Sequence, residues 1–183
     1  MSSIEQARIE IVFGTDTGNT EEIAGRIVTQ LEQHGASASV TNITDADTET
    51  FDQADLLILG IPTWDFGGIQ ADWDDVEAML TSLELGGKTI ALYGLGDQFG
   101  YGDYFLDAMG WLYQRLQSSQ ARFIGFWSVE GYDFEASEAL VQEGKQFCGL
   151  AVDEDQQFEL TDQRIEGWVN QIVVEYRGQQ PAA

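Results

Sequence analysis

A single cysteine and a single histidine occur among the 183 residues of this chain, and lysine and arginine together number only 8 against 32 aspartates and glutamates. Cys148 therefore has no partner for an intramolecular disulfide. Set between Phe147 and the run Gly149-Leu150-Ala151, it reads as a small core residue and not a nucleophile. His34 falls in the last turn of a helical pattern, where a cation favours the negative helix end, and no catalytic role is read into it. No apolar run reaches membrane-spanning length. The first residues lack the basic, apolar and small-residue succession of a signal peptide, so the cytoplasm is the expected compartment. Repeats, low-complexity tracts and linkers are missing as well, which implies a single domain over 1–183 with a frayed tail at 178–183.

The shortage of basic residues leaves a formal net charge of -24. Nucleic acid is thereby excluded as a partner, because phosphate backbones select basic faces. Anionic membranes are disfavoured on the same ground. Basic-faced proteins are the natural complement, and charge of this size steers their approach. Solubility or a salty habitat would account for the charge equally well.

What the chain does contain is a sequence of strongly apolar runs: Ile9 to Phe13, Asp55 to Gly60, Lys88 to Gly94 and Ala121 to Trp127, with weaker ones at Ala38 to Thr41 and Phe147 to Val152. The strong runs are continuous and not alternating, as expected of strands covered on both faces of a parallel sheet. Helical stripes lie between them: Ile23, Ile27 and Leu31, closed by Gly35; Trp73, Val76, Met79 and Leu80; Phe105, Met109, Leu112 and Leu116; and Ile165 to Tyr176, with Thr161 as the expected N-cap. Strand alternating with helix gives an α/β chain with right-handed crossovers. The polar, glycine-containing stretch from Val129 to Lys145 stands apart as an insertion beside the last strand.

In such a sheet, ligands bind beyond the carboxyl ends of the strands. Three loops meet that condition. Thr15-Asp16-Thr17-Gly18-Asn19-Thr20 joins the first strand to the first helix, so backbone amides and hydroxyls face an anion at a helix N-terminus. It holds no lysine or arginine, which suits one phosphate monoester on a tightly bound cofactor better than a triphosphate. The second loop is Pro62-Thr63-Trp64-Asp65-Phe66-Gly67-Gly68. The third runs from Gly94-Leu95-Gly96-Asp97 through Gln98, Phe99 and Gly100 to Tyr101-Gly102-Asp103. Trp64 and Tyr101 are read as residues that stack on a planar ring. The glycine spacing of the third loop is a weak dinucleotide signal, and these glycines are read instead as allowing backbone to approach a flat ligand.

These motifs, together with Gly149-Leu150-Ala151-Val152-Asp153-Glu154-Asp155, resemble the flavodoxin family in its long-chain form, from about Arg8 to Tyr176. The resemblance implies a flavodoxin-like three-layer α/β/α sandwich. Its five-stranded parallel sheet has the order 2-1-3-4-5, and the 129–145 insertion interrupts the fifth strand. It implies one non-covalent FMN: its phosphate on Thr15 to Thr20, its ring between Trp64 and Tyr101, its pyrimidine edge and ribityl region near Asp97, with Asp155 beside the ribityl chain. It further implies a monomeric low-potential one-electron carrier, cycling between semiquinone and hydroquinone. A ferredoxin/flavodoxin-NADP reductase-type donor and basic-faced redox acceptor proteins would be its partners. The Asp65-Phe66 peptide is expected to turn toward flavin N5 on reduction, at a greater backbone cost than glycine would incur. Two other readings compete. An FMN-dependent NAD(P)H quinone reductase would need an open flavin face for nicotinamide. A phospho-accepting receiver would need an acidic cluster after the first strand, where only Asp16 stands.

Overall fold

A computed structural model describes residues 3–178. In chain order its elements are β1 (Ile9–Phe13), α1 (Asn19–Gln33), β2 (Ala38–Asn42), α2 (Thr48–Asp52), β3 (Leu56–Trp64), β4 (Gly68–Ile69), α3 (Ala71–Asp74) and α4 (Glu77–Ser82). There follow β5 (Thr89–Leu95), α5 (Asp107–Arg115), β6 (Arg122–Ile124), β7 (Trp127–Ser128), β8 (Leu140–Val141), β9 (Gln146–Phe147), β10 (Leu150–Val152) and α6 (Thr161–Gly178). The main sheet is parallel in the order β2-β1-β3-β5, and its fifth position is shared. β6 pairs with the first half of β5, from Thr89 opposite Arg122, and β10 with its last half, ending at Leu95 opposite Val152. The expected order and the interrupted fifth strand are both present.

The continuous apolar runs are sorted by the pleat. Ile9, Ile11 and Phe13 of β1, Ile58 of β3 and Tyr93 of β5 face α1 and α6, against Ile23, Ile27, Ile165, Trp168 and Ile172. Val12, Leu57, Leu59 and Leu92 face the other layer, against Phe51 of α2, Trp73 of α3, Leu80 of α4 and Met109 and Leu112 of α5. Successive strand residues point to opposite sides, so only a strand apolar at every position can be buried on both. Among the described residues no helix is long and apolar enough to cross a membrane. Along the outer edge strand β2, from the amino end of β1 to the turn after Asn42, the sheet carries an open polar groove of about 720 Å³ lined by Arg8, Glu10, Thr41 and Asp45, in which Thr41 donates to Glu10.

Several local expectations change. The run Ala121 to Trp127 breaks at Gly125, which takes φ +81° while the Trp168 indole donates to its carbonyl at 2.9 Å, and the chain leaves the sheet there. Phe147 to Val152 likewise divides into β9 and β10. Between the breaks, β7, β9 and β8 form a small antiparallel sheet from Trp127 to Phe147, reaching beyond both expected ends of the insertion. The stripe through Trp73 and Leu80 is two helices, broken at Val76 with φ -104° and ψ 13°. Thr161 is no cap: it lies inside the helical region at φ -60° and ψ -49°, and its hydroxyl donates to Glu154 Oε2 at 2.7 Å. α2, unanticipated, begins with a capping box between Asp47 and Thr50. His34 sits at the end of α1, its Nε2 2.8 Å from Asn170 Oδ1. Cys148 is fully buried and burial pushes its thiol up to about 12, so it stays protonated in the core. Of the expected tail at 178–183, all but Gly178 lies outside the described residues.

One polar knot ties the carboxyl-end loops together. Asp153, completely buried after β10, accepts from Gln98 N (3.0 Å) and Gln98 Nε2 (2.7 Å) through Oδ2, and from Asp155 N (3.0 Å) and Gln156 N (2.9 Å) through Oδ1. Gln98, in the loop after β5, also donates to Gln157 Oε1 at 2.8 Å and accepts from Asp133 N at 2.6 Å. The segment from 131 to 138 then clasps the same loop. Glu135 N and Ala136 N donate to Gly102 O at 2.9 and 3.0 Å, Phe105 N donates to Ala136 O at 3.2 Å, and Glu138 N donates to Asp107 Oδ1 at 2.8 Å.

Two stability measurements follow from this packing. A Cβ at Gly60 would collide with the buried Tyr93 ring, whereas one at Gly25 on α1 meets nothing. In urea unfolding of the ligand-free protein, Gly60→Ala is expected to cost about 2 kcal/mol and Gly25→Ala to add about 0.8 kcal/mol; equal effects would contradict the packing at β3. Gln98→Leu removes a buried partner of a carboxylate and should cost about 2 kcal/mol. A change within about 0.5 kcal/mol, the range of an ordinary surface substitution, would show that the knot holds nothing.

Candidate functional site

At the carboxyl ends of β1, β3, β5 and β10, four loops surround a cleft of about 430 Å³. That volume lies in the range of small-molecule sites, roughly 300–1,000 Å³. The first wall follows β1. Thr15 Oγ1 accepts from Gly18 N at 2.8 Å, Gly18 turns the chain at φ +93°, and α1 starts at Asn19. The amides of the first helical turn have no partners within the helix and point into the cleft with its partial positive charge. Thr15, Thr17, Asn19 and Thr20 line it; Asp16 instead accepts from Gln70 Nε2 at 3.3 Å, tying the loop to the segment before α3. Tyr93, whose hydroxyl burial pushes far up, donates to Thr20 O at 2.9 Å and fixes the helix start from the sheet.

The second wall leaves β3. Pro62, Thr63, Trp64 and Asp65 line the cleft. Thr63 Oγ1 accepts from Ala108 N at 3.1 Å, and β4 returns antiparallel so that Trp64 lies opposite Gly68. Asp65 takes φ +45° and Gly67 φ +85°. The left-handed conformation at a non-glycine residue costs about 1 kcal/mol, and Asp65 carries that strain in the turn. Phe66 and Gly67 fall outside the cleft. Phe66 is 76% exposed, and a Cβ at Gly67 would lie 3.1 Å from Asp107 Oδ2. Trp64 Nε1 is buried without a hydrogen-bond partner, an orphan donor beside the cleft.

From the third loop, Leu95, Gly96, Asp97 and Tyr101 line the cleft, whereas Gly94 and Asp103 do not. The lack of a side chain at Gly94 and Gly96 has an internal cause: a Cβ would lie 3.0 Å from Met109 Cβ and 3.0 Å from Phe105 Cδ1 respectively. The missing side chains make room for Met109 and Phe105, and Gly96 lines the cleft as well. The fourth wall adds Asp155, as expected, and Glu154, which the sequence reading missed. Glu154 is held by the Thr161 hydroxyl and by an ion pair to Arg26 of α1 at 3.5 Å. Only its place next to Asp155 could have signalled it.

The site is acidic. Among the described residues no lysine, arginine or histidine lines the cleft. Burial raises the Asp155 carboxyl above the usual Asp value, and the charges of Asp97, Asp153 and Glu154 raise it further. Burial also acts upward on Asp97, but the hydrogen bonds from Gly100 N, Gln156 Nε2 and Phe99 N outweigh it and leave that carboxyl lowered. The Asp65 carboxylate raises Tyr101, first by accepting its hydrogen bond and then by its charge, which links the second loop to the third across the cleft mouth. An anionic ligand entering here meets only neutral donors, with the amides and hydroxyls of Thr15, Thr17, Asn19 and Thr20 gathered at the α1 end.

Comparison with known proteins agrees with this geometry. The family model for flavodoxin matches residues 11–168. Flavodoxin 2 of Escherichia coli is 44% identical over 165 residues, covering 90% of this chain and 94% of that protein. Flavodoxin 1 of Escherichia coli is 46% identical over 162 residues, covering 88% and 90%. Among solved structures, Fusobacterium nucleatum flavodoxin bound to flavin mononucleotide superposes with a TM-score of 0.84 at 31% identity, over 92% of this chain and 98% of that one. With its topology, its loops and these relatives in agreement, the chain belongs to the flavodoxin family.

Proposed function

We propose that this protein is a cytoplasmic one-electron carrier that holds one non-covalent FMN in the four-walled cleft. The observation that carries the reading is the meeting, at one sheet edge, of an uncharged anion cradle with two aromatic side chains on separate loops. FMN supplies two successive one-electron couples when bound. The chain's residues do the rest. Thr15, Thr17, Asn19 and Thr20, through their hydroxyls and amides, take the phosphate; Asp16 and Gly18 shape that loop without touching the cleft. Trp64 and Tyr101 flank the ring and exclude water from it, while Pro62, Thr63, Leu95 and Gly96 complete the apolar and backbone lining. The orphan Trp64 N–H fits a ligand that brings an acceptor. Asp65, strained at φ +45°, presents the peptide that leads into Phe66 and Gly67.

Asp97, Asp155 and Glu154 set the electrical character of the cleft. Negative charge added about 7 Å from a carboxylate costs on the order of 2 kcal/mol at an effective dielectric near 20, close to a tenth of a volt per electron; solvent screening reduces it. Several such groups make the second electron hard to add, so the lower couple is the working one. The donor is a reductase of the ferredoxin/flavodoxin-NADP type and the acceptors are redox proteins with basic faces, because a carrier at -24 attracts positive surfaces. An NAD(P)H quinone reductase would need one ring face open to nicotinamide, where this cleft has an aromatic on each of two opposing loops.

Titration of ligand-free protein with FMN should quench tryptophan emission at one equivalent, and Trp64→Ala should weaken binding about a hundredfold through lost burial and stacking. Protein that leaves FMN unbound sinks the reading. In the loaded protein, Asp97→Asn should raise the lower midpoint potential by some tens of millivolts while the wild-type absorption envelope is kept; identical potentials in both proteins would dismiss the electrostatic tuning. Reduction by a flavoprotein reductase should slow steeply as salt rises, and a flat response would argue against steering.

A further inference from the structure

Next to the cofactor cleft lies a second one, of about 300 Å³, between the loop after β5 and the segment that follows Gly131. Its apolar walls are Phe66, Phe99, Tyr104 and Phe134. Phe66 is 76% exposed and Phe99 62%, an unusual concentration of aromatic surface in water. Phe66 is not loose, however. It meets the edges of Tyr101 and Tyr104 at centroid separations of 5.9 and 5.7 Å and interplanar angles of 89° and 83°. A wet aromatic ring held between two tyrosines is ordered before any partner arrives, which lowers the entropic cost of binding to it.

The polar lining is of one sign. Asp103 comes from the loop after β5, and Asp133 and Glu135 come from the facing segment. Among the described residues no basic side chain lines the cleft and none of these three carboxylates forms an ion pair. Their backbones are fixed: Asp133 N donates to Gln98 Oε1 and Glu135 N to Gly102 O. Aromatic faces next to unpaired carboxylates select a flat cation. A guanidinium stacks on rings and accepts the forked pairing of a carboxylate, and it surrenders hydration more easily than an ammonium.

We propose that this cleft receives an arginine side chain from the redox partner, and that the insertion supplies one of its two walls. The proposal rests on the carrier reading for the nature of the partner, and on the cleft itself for the chemistry. The insertion is then part of the recognition surface, and arginine is the residue that a complementary basic face must present there.

The test uses FMN-loaded full-length protein with ¹³C-labelled phenylalanine and tyrosine rings, titrated with the capped tripeptide acetyl-Gly-Arg-Gly-amide and, in parallel, with its Gln counterpart. Saturable shifts are expected at Phe66, Phe99 and Tyr104 with the arginine peptide only. The double variant Asp133→Asn, Glu135→Gln should weaken that binding about fivefold. A control with the same change in net charge beside the opposite edge strand β2, Asp45→Asn with Glu49→Gln, should leave it within about twofold. The proposal is overturned if no saturable shift occurs, if Phe158 on another surface shifts as much, or if both double variants weaken binding equally. Flavin absorbance of the same sample reports FMN loading separately, so a failure of the carrier reading is seen independently of the peptide result.

Discussion

The buried carboxylate of Asp153 is the constraint on which the ligand-facing edge depends. An ionised group removed from water must be surrounded by donors or it destabilises the fold by several kcal/mol. Here the donors come from two places, the Gln98 amide and side chain after β5 and the amides that follow β10. Meeting the requirement of one charge therefore fixes the two loops that carry Asp97, Tyr101, Glu154 and Asp155. Gln98 passes the constraint on to the insertion through Asp133 N. Residues far apart in the chain are brought into register by a single electrostatic need.

The same edge shows how an acidic protein can hold an anion. The α1 end of the cleft, proposed above to take the phosphate, is lined by Thr15, Thr17, Asn19 and Thr20 without formal charge and offers hydroxyls and helix-terminal amides. The carboxylates gather at the other end, where Asp155 is raised by burial and by its acidic neighbours. The two ends thus divide the work. One binds through dipoles that cannot be titrated, and the other opposes the accumulation of further negative charge. A lysine in the first loop would strengthen anion binding and at the same time offset the opposition proposed here to the second electron.

Much of this was legible in the sequence, for identifiable reasons. The strands were clear because doubly covered strands must be apolar throughout, and the loop from Thr15 to Thr20 because its hydroxyl and glycine pattern sits at a fixed point between strand and helix. Short and polar features were not. α2 buries only Phe51, so it leaves no stripe, and its one signal was the Asp47–Thr50 capping pair. Thr161 looked like a cap because nothing in its neighbourhood revealed that Glu154 would engage its hydroxyl. Gln98 and Asp153 carry no motif; their importance arises from contacts 55 residues apart. Gly94 and Gly96 were noticed for an absent side chain, and nothing in the sequence signalled that Met109 and Phe105 occupy the space beside them.

The divided fifth strand has a consequence of its own. In a continuous strand the alternation of side chains runs from end to end, so a residue gained or lost in one half exchanges inward and outward positions in the other. Here β6 and β10 lie along the same edge of β5 as separate pieces. The parity of the three residues that lead into Asp153 is thereby independent of everything before Gly149. The excursion between them is free to vary in length without rotating the buried carboxylate out of its place.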